Sequence, residues 1–147
     1  MKVKMILPAL QEVESPYWRP IKYSLFPPLG LATLAAYFND DDEVEIQDQH
    51  VEKLTLDDTP DLVCIQVYVT NAYRAYRIAD DYRSRGVYVA MGGLHVTSLP
   101  DEAAQHADTI LLGPGEEVYN TEIQIPCILL GHLLTADFTV DHHDINP

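Results

Sequence analysis

Short apolar runs and helix-like stretches alternate along the first two thirds of the chain. Val3–Leu7 and Leu62–Val69 are continuous apolar or β-branched runs, and the second predicts a central strand that is covered on both faces. Glu43–Asp48 alternates polar and apolar residues, which is typical of a half-buried edge strand. Val87–Met91 and Thr109–Leu112 complete five predicted strands.

Stretches of good helix formers separate most of these strands. We predict helices over Leu29–Phe38, Ala72–Arg85 and Pro100–His106. Residues 49–60 are polar and leave room for at most a turn or two of helix. Strands and helices that alternate with short links predict one α/β domain with a parallel sheet.

Two stretches fall outside this alternation. Ala9–Pro27 is a long connection that contains several prolines, and loops of this length in compact domains are usually functional or flexible. Ile123–Leu130 has strand character, although Pro126 argues against a central strand. We therefore predict an α/β domain over residues 1–117 and an irregular acidic, His-containing tail over residues 118–147.

Charge and composition narrow the classes of partner. The 147 residues include 23 acidic and 9 basic side chains, a formal net charge of −14. This balance repels phosphate backbones and anionic lipid, so we expect neither a nucleic acid nor a membrane as partner. No apolar run approaches the roughly 20 residues of a membrane-spanning helix, and the N-terminus resembles no signal peptide. With only Cys64 and Cys127, no disulfide framework is predicted, and we expect a cytoplasmic protein.

Polar and small residues follow three of the predicted strands. In an open parallel sheet, ligands bind at the carboxyl ends of the strands, near the point where the strand order reverses. Thr70–Asn71, Gly92–Ser98 and Gly113–Glu116 fall at such ends. Glycines there let a ligand approach the backbone, although glycines also simply end strands. Neither a G-x-G-x-x-G motif after the first strand nor a P-loop motif occurs, which excludes those two phosphate cradles.

Three motifs, in this order, resemble those of one known family. Pro27–Tyr37 reads P-P-L-G-L-A-T-L-A-A-Y, Gly92–Thr97 reads G-G-L-H-V-T, and Gly113–Glu117 reads G-P-G-E-E. Together they resemble the N-terminal cobalamin-binding domain of B12-dependent radical SAM enzymes. The resemblance implies a flavodoxin-like (Rossmann-type) fold, an open parallel five-stranded sheet with helices on both faces. It also implies that cobalamin binds with its nucleotide tail along the carboxyl edge of the sheet.

By position, the resemblance also implies a set of cofactor-binding residues. The residues that would line the nucleotide tail are Tyr68, Thr70, Asn71, Gly92, Gly93, His95 and Thr97. The residues that would close the site are Gly113, Gly115 and Glu116. Small residues admit the corrinoid, while hydroxyl and amide groups satisfy its polar side chains.

Asp48–Lys53 echoes a further motif, D-x-H-x-x-G, whose histidine coordinates cobalt in B12 methyltransferases and mutases. Here Lys53 occupies the position at which the motif has glycine, and the motif follows the second strand instead of the first. A histidine on an edge strand would lie far from the point where the strand order reverses. We therefore favour a solvated strand-end histidine at His50 over a cobalt ligand, and we predict no other metal ligand.

The radical SAM cluster requires a C-x-x-x-C-x-x-C motif, which a chain with two cysteines does not contain. The resemblance therefore implies a cobalamin-binding module that is not catalytic alone, with a radical SAM domain as its partner or as a missing part. Two alternatives stay open. One is a small α/β enzyme that uses His95 and Glu116 as acid and base, and the other is a truncated apo interaction domain.

Overall fold

The computed structural model describes residues 1–9 and 28–113, which contain five strands and four helices. The strands are β1 (Lys2–Leu7), β2 (Glu43–Asp48), β3 (Leu62–Gln66), β4 (Tyr88–Gly92) and β5 (Thr109–Leu111). The helices are α1 (Leu29–Ala35), α2 (Ala72–Ser84), α3 (Leu94–Ser98) and α4 (Pro100–Ala103).

The five strands form one parallel sheet in the order β2-β1-β3-β4-β5. β1 pairs with β2 on one side and with β3 on the other, so the strand order reverses beside β1. This is the strand order of a flavodoxin-like fold, in which ligands bind at the point of reversal. The predicted fold class is confirmed, and β2 is an edge strand as its alternating pattern indicates.

Each face of the sheet carries its own hydrophobic layer, because successive side chains of a strand point to opposite faces. On one face, which we call the α2 face, buried residues of α2 such as Ile78 and Ala79 pack against Val63 and Val89. On the other, the α1 face, Leu31 of α1 packs with residues that include Val3, Met5, Leu7, Leu62, Cys64 and Ala90. Fully burying one such apolar side chain contributes roughly 1.5–3 kcal/mol, so both layers stabilise the fold.

The structure shortens three predicted elements by three residues each and adds one. α4 ends at Ala103 instead of His106, because the N–H groups of Gln105 and His106 bond three residues back. α1 ends at Ala35 instead of Phe38, because the next three backbone N–H groups bond three residues back and tighten the last turn. β3 ends at Gln66, and Val69, which the prediction included in the strand, is 74% exposed. Residues 94–98, predicted as a loop, form the short helix α3, which is too short to show a helical period in the sequence.

A buried lysine anchors the connection between β2 and β3, which contains no helix. Lys4 of β1 is 1% exposed, and its ammonium donates to the Thr55 carbonyl and, at 2.6 Å, to the Asp58 carboxylate. The Tyr82 hydroxyl of α2 donates to the other Asp58 oxygen at 2.6 Å. These contacts satisfy a charge that would otherwise be buried without a partner.

Several predictions concern segments that the structure leaves undescribed. The long connection that begins near Ala9, the domain boundary after residue 117 and the character of the tail all stay predictions. Within residues 1–9 and 28–113, no helix has both the length and the apolar character needed to cross a membrane.

Candidate functional site

The carboxyl edge of the sheet brings the predicted site segments together, because all five strands point the same way. Pro8 and Ala9 leave β1 at this edge, and residues 67–71 leave β3 beside them. Gly93 leaves β4, and residues 112–113 leave β5. Gly115 and Glu116, the last two predicted site residues, lie outside the described residues.

Asn71 joins the ends of β1 and β3 at the point where the strand order reverses. Its side-chain nitrogen donates to the Pro8 carbonyl at 2.8 Å, and its side-chain oxygen accepts from the Tyr68 backbone N–H at 2.8 Å. The residue is 3% exposed. Asn71 therefore fixes the spacing between two walls of the crevice through the protein's own backbone.

Thr97 joins the ends of β4 and β5 in a similar way. Its hydroxyl donates to the Gly93 carbonyl at 3.1 Å and accepts from the Gly113 backbone N–H at 3.0 Å. The structure thus brings together Gly93, Thr97 and Gly113, three of the predicted site residues.

Gly93 has a φ of +112°, and a Cβ there would lie 2.7 Å from the Val67 carbonyl oxygen. The absence of a side chain at Gly93 is therefore required by the fold itself.

His95 lies on the α2 face and is 7% exposed. Its Nε2 is 3.3 Å from a carboxylate oxygen of Glu102, and its ring lies 6.1 Å from that of Tyr76 in α2. The hydrogen bond with His95 lowers the pKa of Glu102. The carboxylate that His95 meets in the described part of the chain is thus Glu102, whereas the acid/base alternative paired it with Glu116.

Gln66 is a candidate site residue that the sequence analysis missed. It lies on the α1 face, two residues beyond Cys64, and its Nε2 donates to the Tyr68 hydroxyl at 2.9 Å. A Cβ on Gly30 of α1 would lie 3.1 Å from that nitrogen, so the glycine lets the helix approach the amide. The Gln66 Oε1 atom is buried and has no hydrogen-bond partner. One indication of its importance is visible in the sequence, since Gln66 is a polar residue inside the apolar run Leu62–Val69.

A glycine lies beside Gln66 on the α1 face, followed by a leucine on the next strand. Gly92 is opposite Gln66 in the register of β3 and β4, and Leu111 of β5 is opposite Gly92. A Cβ on Gly92 would lie 3.3 Å from the Leu111 Cβ, so a side chain at position 92 would crowd its neighbour on β5. We call Gln66, Gly92 and Leu111 the Gln66 row. It is the last row of the α1 face before the carboxyl edge.

Most of the large hydrophobic side chains that are exposed in the described residues lie just after a strand or at the start of a helix. Tyr68 is 38% exposed and Leu94 is 70% exposed, and Thr70 beside them is exposed as well. The complete set is Leu29, Val51, Tyr68, Val69, Tyr73, Leu94, Leu99 and Leu112. Apolar surface that is concentrated in one place marks a binding surface more often than scattered exposed residues do.

His50 follows β2 and pairs with Asp48, with 2.8 Å between Nδ1 and a carboxylate oxygen. Asp48 is 6% exposed, and the pairing orients the ring, an arrangement that metal-binding histidines share. The described residues contain no group of three or more side chains that could hold a free metal ion, although a single histidine would be enough for a cobalt that a corrin already holds. β2 is also separated by β1 from the point where the strand order reverses.

Comparisons with known proteins agree with this fold. Residues 23–121 match the family model of the B12 binding domain. The chain is 37% identical over 94 residues to a bacteriochlorophyllide d C-8(2)-methyltransferase of Chlorobaculum tepidum, covering 63% of this chain and 21% of that protein. It is 35% identical over 129 residues to an uncharacterized methyltransferase of Pyrococcus horikoshii, covering 79% of this chain and 28% of that protein. No solved structure matches significantly.

Proposed function

Because this chain belongs to the B12-binding domain family, we propose that it is a cobalamin-binding module whose site is the carboxyl edge of the sheet. The observation that carries the proposal is that most of the exposed large hydrophobic side chains come just after a strand or open the helix that follows it. A corrin is a broad, largely apolar ring that bears amide side chains. An edge that offers leucines and tyrosines beside hydroxyl and backbone groups suits such a ligand.

The nucleotide tail, in this proposal, enters the α1 face past the Gln66 row. Two observations support the proposal: the small Gly92 at the centre of that row, and the buried Gln66 oxygen that lacks a donor. Asn71 and Thr97 hold the walls of the crevice, whereas Tyr68 and Thr70 offer hydroxyl groups at its mouth.

The resemblance assigns the closing of the site to Gly113, Gly115 and Glu116, and we keep this assignment as part of the proposal. His95 contributes indirectly, because its ring is buried and its backbone N–H donates to the Val67 carbonyl at 3.2 Å, which ties α3 to the end of β3.

Cobalamin, when bound, supplies a cobalt centre that can carry a methyl group or take part in radical chemistry. The residues of this chain would bind and orient the corrinoid and exclude water from it. The chain spans about a fifth to a quarter of the first two relatives, both of which are named methyltransferases. We propose a radical SAM domain as the partner that would complete such a reaction.

The first test is a visible absorption titration of the purified chain with hydroxocobalamin, followed by removal of the unbound excess. We expect a stoichiometric amount of corrinoid to stay with the protein. A Gly92→Val variant, which fills the centre of the Gln66 row, should retain much less. The control is Ala104→Val, which also adds a branched apolar side chain but at an exposed position of the chain. Retention that is absent from a folded wild-type sample would contradict the proposal.

The same sample tests the role of His50. A histidine ligand would replace the base of the cofactor and change the spectrum of the bound corrinoid. Because β2 lies beyond β1 from the reversal point, we expect the spectra of wild-type and His50→Ala protein to be the same. A difference between the spectra of the corrinoid bound to wild-type protein and to His50→Ala protein would show that His50 coordinates cobalt.

A further inference from the structure

A groove on the α2 face has no part in the proposed cobalamin site. It has a volume of about 870 Å³ and lies between the connection that joins β2 to β3 and one side of α2. Lys53–Asp57 form one wall, and Arg74, Arg77, Ile78 and Asp81 form the other. These helical positions follow the i, i+3, i+4, i+7 spacing of a single helix face.

The connection runs along α2 in the same direction as the helix. Gln49 accepts a hydrogen bond from Arg74 in the first turn of α2. Asp58 accepts a hydrogen bond from Tyr82 in the last turn. The start of the connection therefore lies beside the start of the helix, and the two walls of the groove are in register.

This register separates the charges of the groove. Lys53, Arg74 and Arg77 lie towards the start of the two walls. Asp57 and Asp81 lie towards the other end. One end of the groove is therefore positive.

Two of the cations have no partner of their own. Within residues 1–9 and 28–113, the side chains of Lys53 and Arg77 make no hydrogen bond and no ion pair, and both residues are exposed. The acid at the opposite end is less available, because Asp81 pairs with Arg85 at 2.7 Å. The groove is thus an exception on a chain with a net charge of −14.

The net charge of the chain does not cancel this local effect. Charges more than about 8 Å apart are largely screened at physiological ionic strength, so a ligand in the groove senses mainly the cations beside it. A long polyanion such as a nucleic acid extends past the groove and meets the acidic surface around it, which repels it. The charges therefore favour a short anionic ligand.

The groove also offers apolar surface. Leu54 and Ile78 line it and belong to the hydrophobic layer of the α2 face. Leu56 packs against the same layer and is partly exposed. Apolar side chains beside unpaired cations suit a ligand that combines carboxylates with apolar groups.

We propose that this groove docks a short acidic segment of a partner protein, whose carboxylates pair with Lys53 and Arg77 and whose apolar side chains cover Leu54. Complementary charge selects this occupant. A short segment suits the groove, because the part of α2 that lines it is about 10 Å long. The proposal goes beyond cobalamin binding and does not depend on it, since none of these residues belongs to the proposed cobalamin site.

The experiment uses the full chain and a short rhodamine-labelled peptide in which glutamates alternate with leucines, and fluorescence anisotropy gives the affinity. We expect binding that weakens as NaCl is added, and much weaker binding of the same peptide with glutamine in place of glutamate. Arg77→Glu should weaken binding of the glutamate peptide about tenfold, whereas Arg77→Lys should keep most of it. Lys2→Glu is the control, because it changes the net charge equally at an exposed position outside the groove.

Two results would overturn the proposal directly: no binding of the glutamate peptide, or equal weakening by Arg77→Glu and Lys2→Glu. Sedimentation velocity tests a second copy of the chain as the occupant. Self-association of wild-type protein that Arg77→Glu abolishes would overturn the proposal in favour of that copy. Arg77→Glu should bind hydroxocobalamin as wild type does, so a failure of cobalamin binding and a failure of peptide docking are distinguishable.

Discussion

Gly93 is the position at which the backbone allows no other residue. Its φ of +112° is a conformation that L side chains rarely adopt, and a Cβ would lie 2.7 Å from the Val67 carbonyl oxygen. Both effects act on the folded state, so Gly93→Ala should lower the free energy of unfolding by about 2–4 kcal/mol. Urea unfolding followed by circular dichroism measures this change.

Gly86 provides the matched control for that prediction. It also has a positive φ, +78°, but an added Cβ would meet no atom within 4 Å. Gly86→Ala should therefore cost only the backbone strain, about 1–2 kcal/mol. Equal losses for the two variants would mean that the contact with Val67 adds nothing to the requirement for glycine at position 93.

Individual residues also show which parts of the candidate site could be predicted from the sequence and which could not. Gly93, Thr97 and Gly113 could be assigned to one edge, because the ends of parallel strands meet there. Gln66 could not be found, since its importance lies in an unpaired atom and in the approach of Gly30 across a long stretch of sequence. Such contacts leave no local pattern in a sequence.

Among the elements, the connection between β2 and β3 shows how a loop can replace a helix. Lys4 reaches it from the sheet, and Asp58 accepts from both Lys4 and Tyr82. Burial raises the pKa of Asp58, but the hydrogen bonds from Lys4 and Tyr82 outweigh it and leave this pKa below its ordinary value. The charged carboxylate therefore holds the loop on the α2 face.

The sign of the pH dependence follows from that lowered pKa. The stabilisation by Asp58 is present above its unfolded pKa of about 3.9 and is lost as the pH falls through the lower folded pKa. Asp58→Asn should therefore be clearly less stable than wild type at pH 7, and the difference should shrink towards pH 3. Urea unfolding at a series of pH values measures it.

The exposed neighbour Asp57 serves as the control for this pH series. Asp57→Asn should leave the free energy of unfolding close to wild type at every pH, because exposed charges contribute little. A constant difference between wild type and Asp58→Asn down to pH 3 would show that the Asp58 charge does not stabilise the loop.

The elements themselves were predictable to different degrees. The bounds of β2 agree with the prediction to the residue, because alternating polar and apolar residues report directly on an edge strand. α3 was missed because five residues make less than two helical turns. Its position depends on the turn at Gly93 and on Val96, which is buried against the sheet. That information belongs to tertiary packing.

On the scale of the whole molecule, a strongly acidic chain carries exposed apolar side chains near one edge of its sheet. The chain has a net charge of −14, and most of the exposed large hydrophobic side chains of the described residues come just after a strand or at the start of a helix. An acidic surface keeps a protein soluble without offering a site to anionic partners. The apolar edge is therefore the part of the described surface best suited to hold a neutral ring.

Substitutions at Leu94 and Leu112 test whether the apolar edge binds the corrin. The two leucines follow neighbouring strands and are 70% and 38% exposed, so replacing both by serine should change the free energy of unfolding by little. Covering two leucines by a corrin removes apolar surface from water, and the double variant should weaken hydroxocobalamin binding by about tenfold or more. Visible absorption titration gives the affinity, and urea unfolding gives the stability.

Val51 supplies the control, since it is 49% exposed but follows β2 at the opposite end of the sheet from β5. Val51→Ser should bind hydroxocobalamin as wild type does, because the proposed site is centred on β1, β3, β4 and β5. If Val51→Ser weakened binding as much as the Leu94 and Leu112 variant, the corrin would have to lie across β2. The site would then shift towards His50, and the spectrum of the His50→Ala variant would become the deciding measurement.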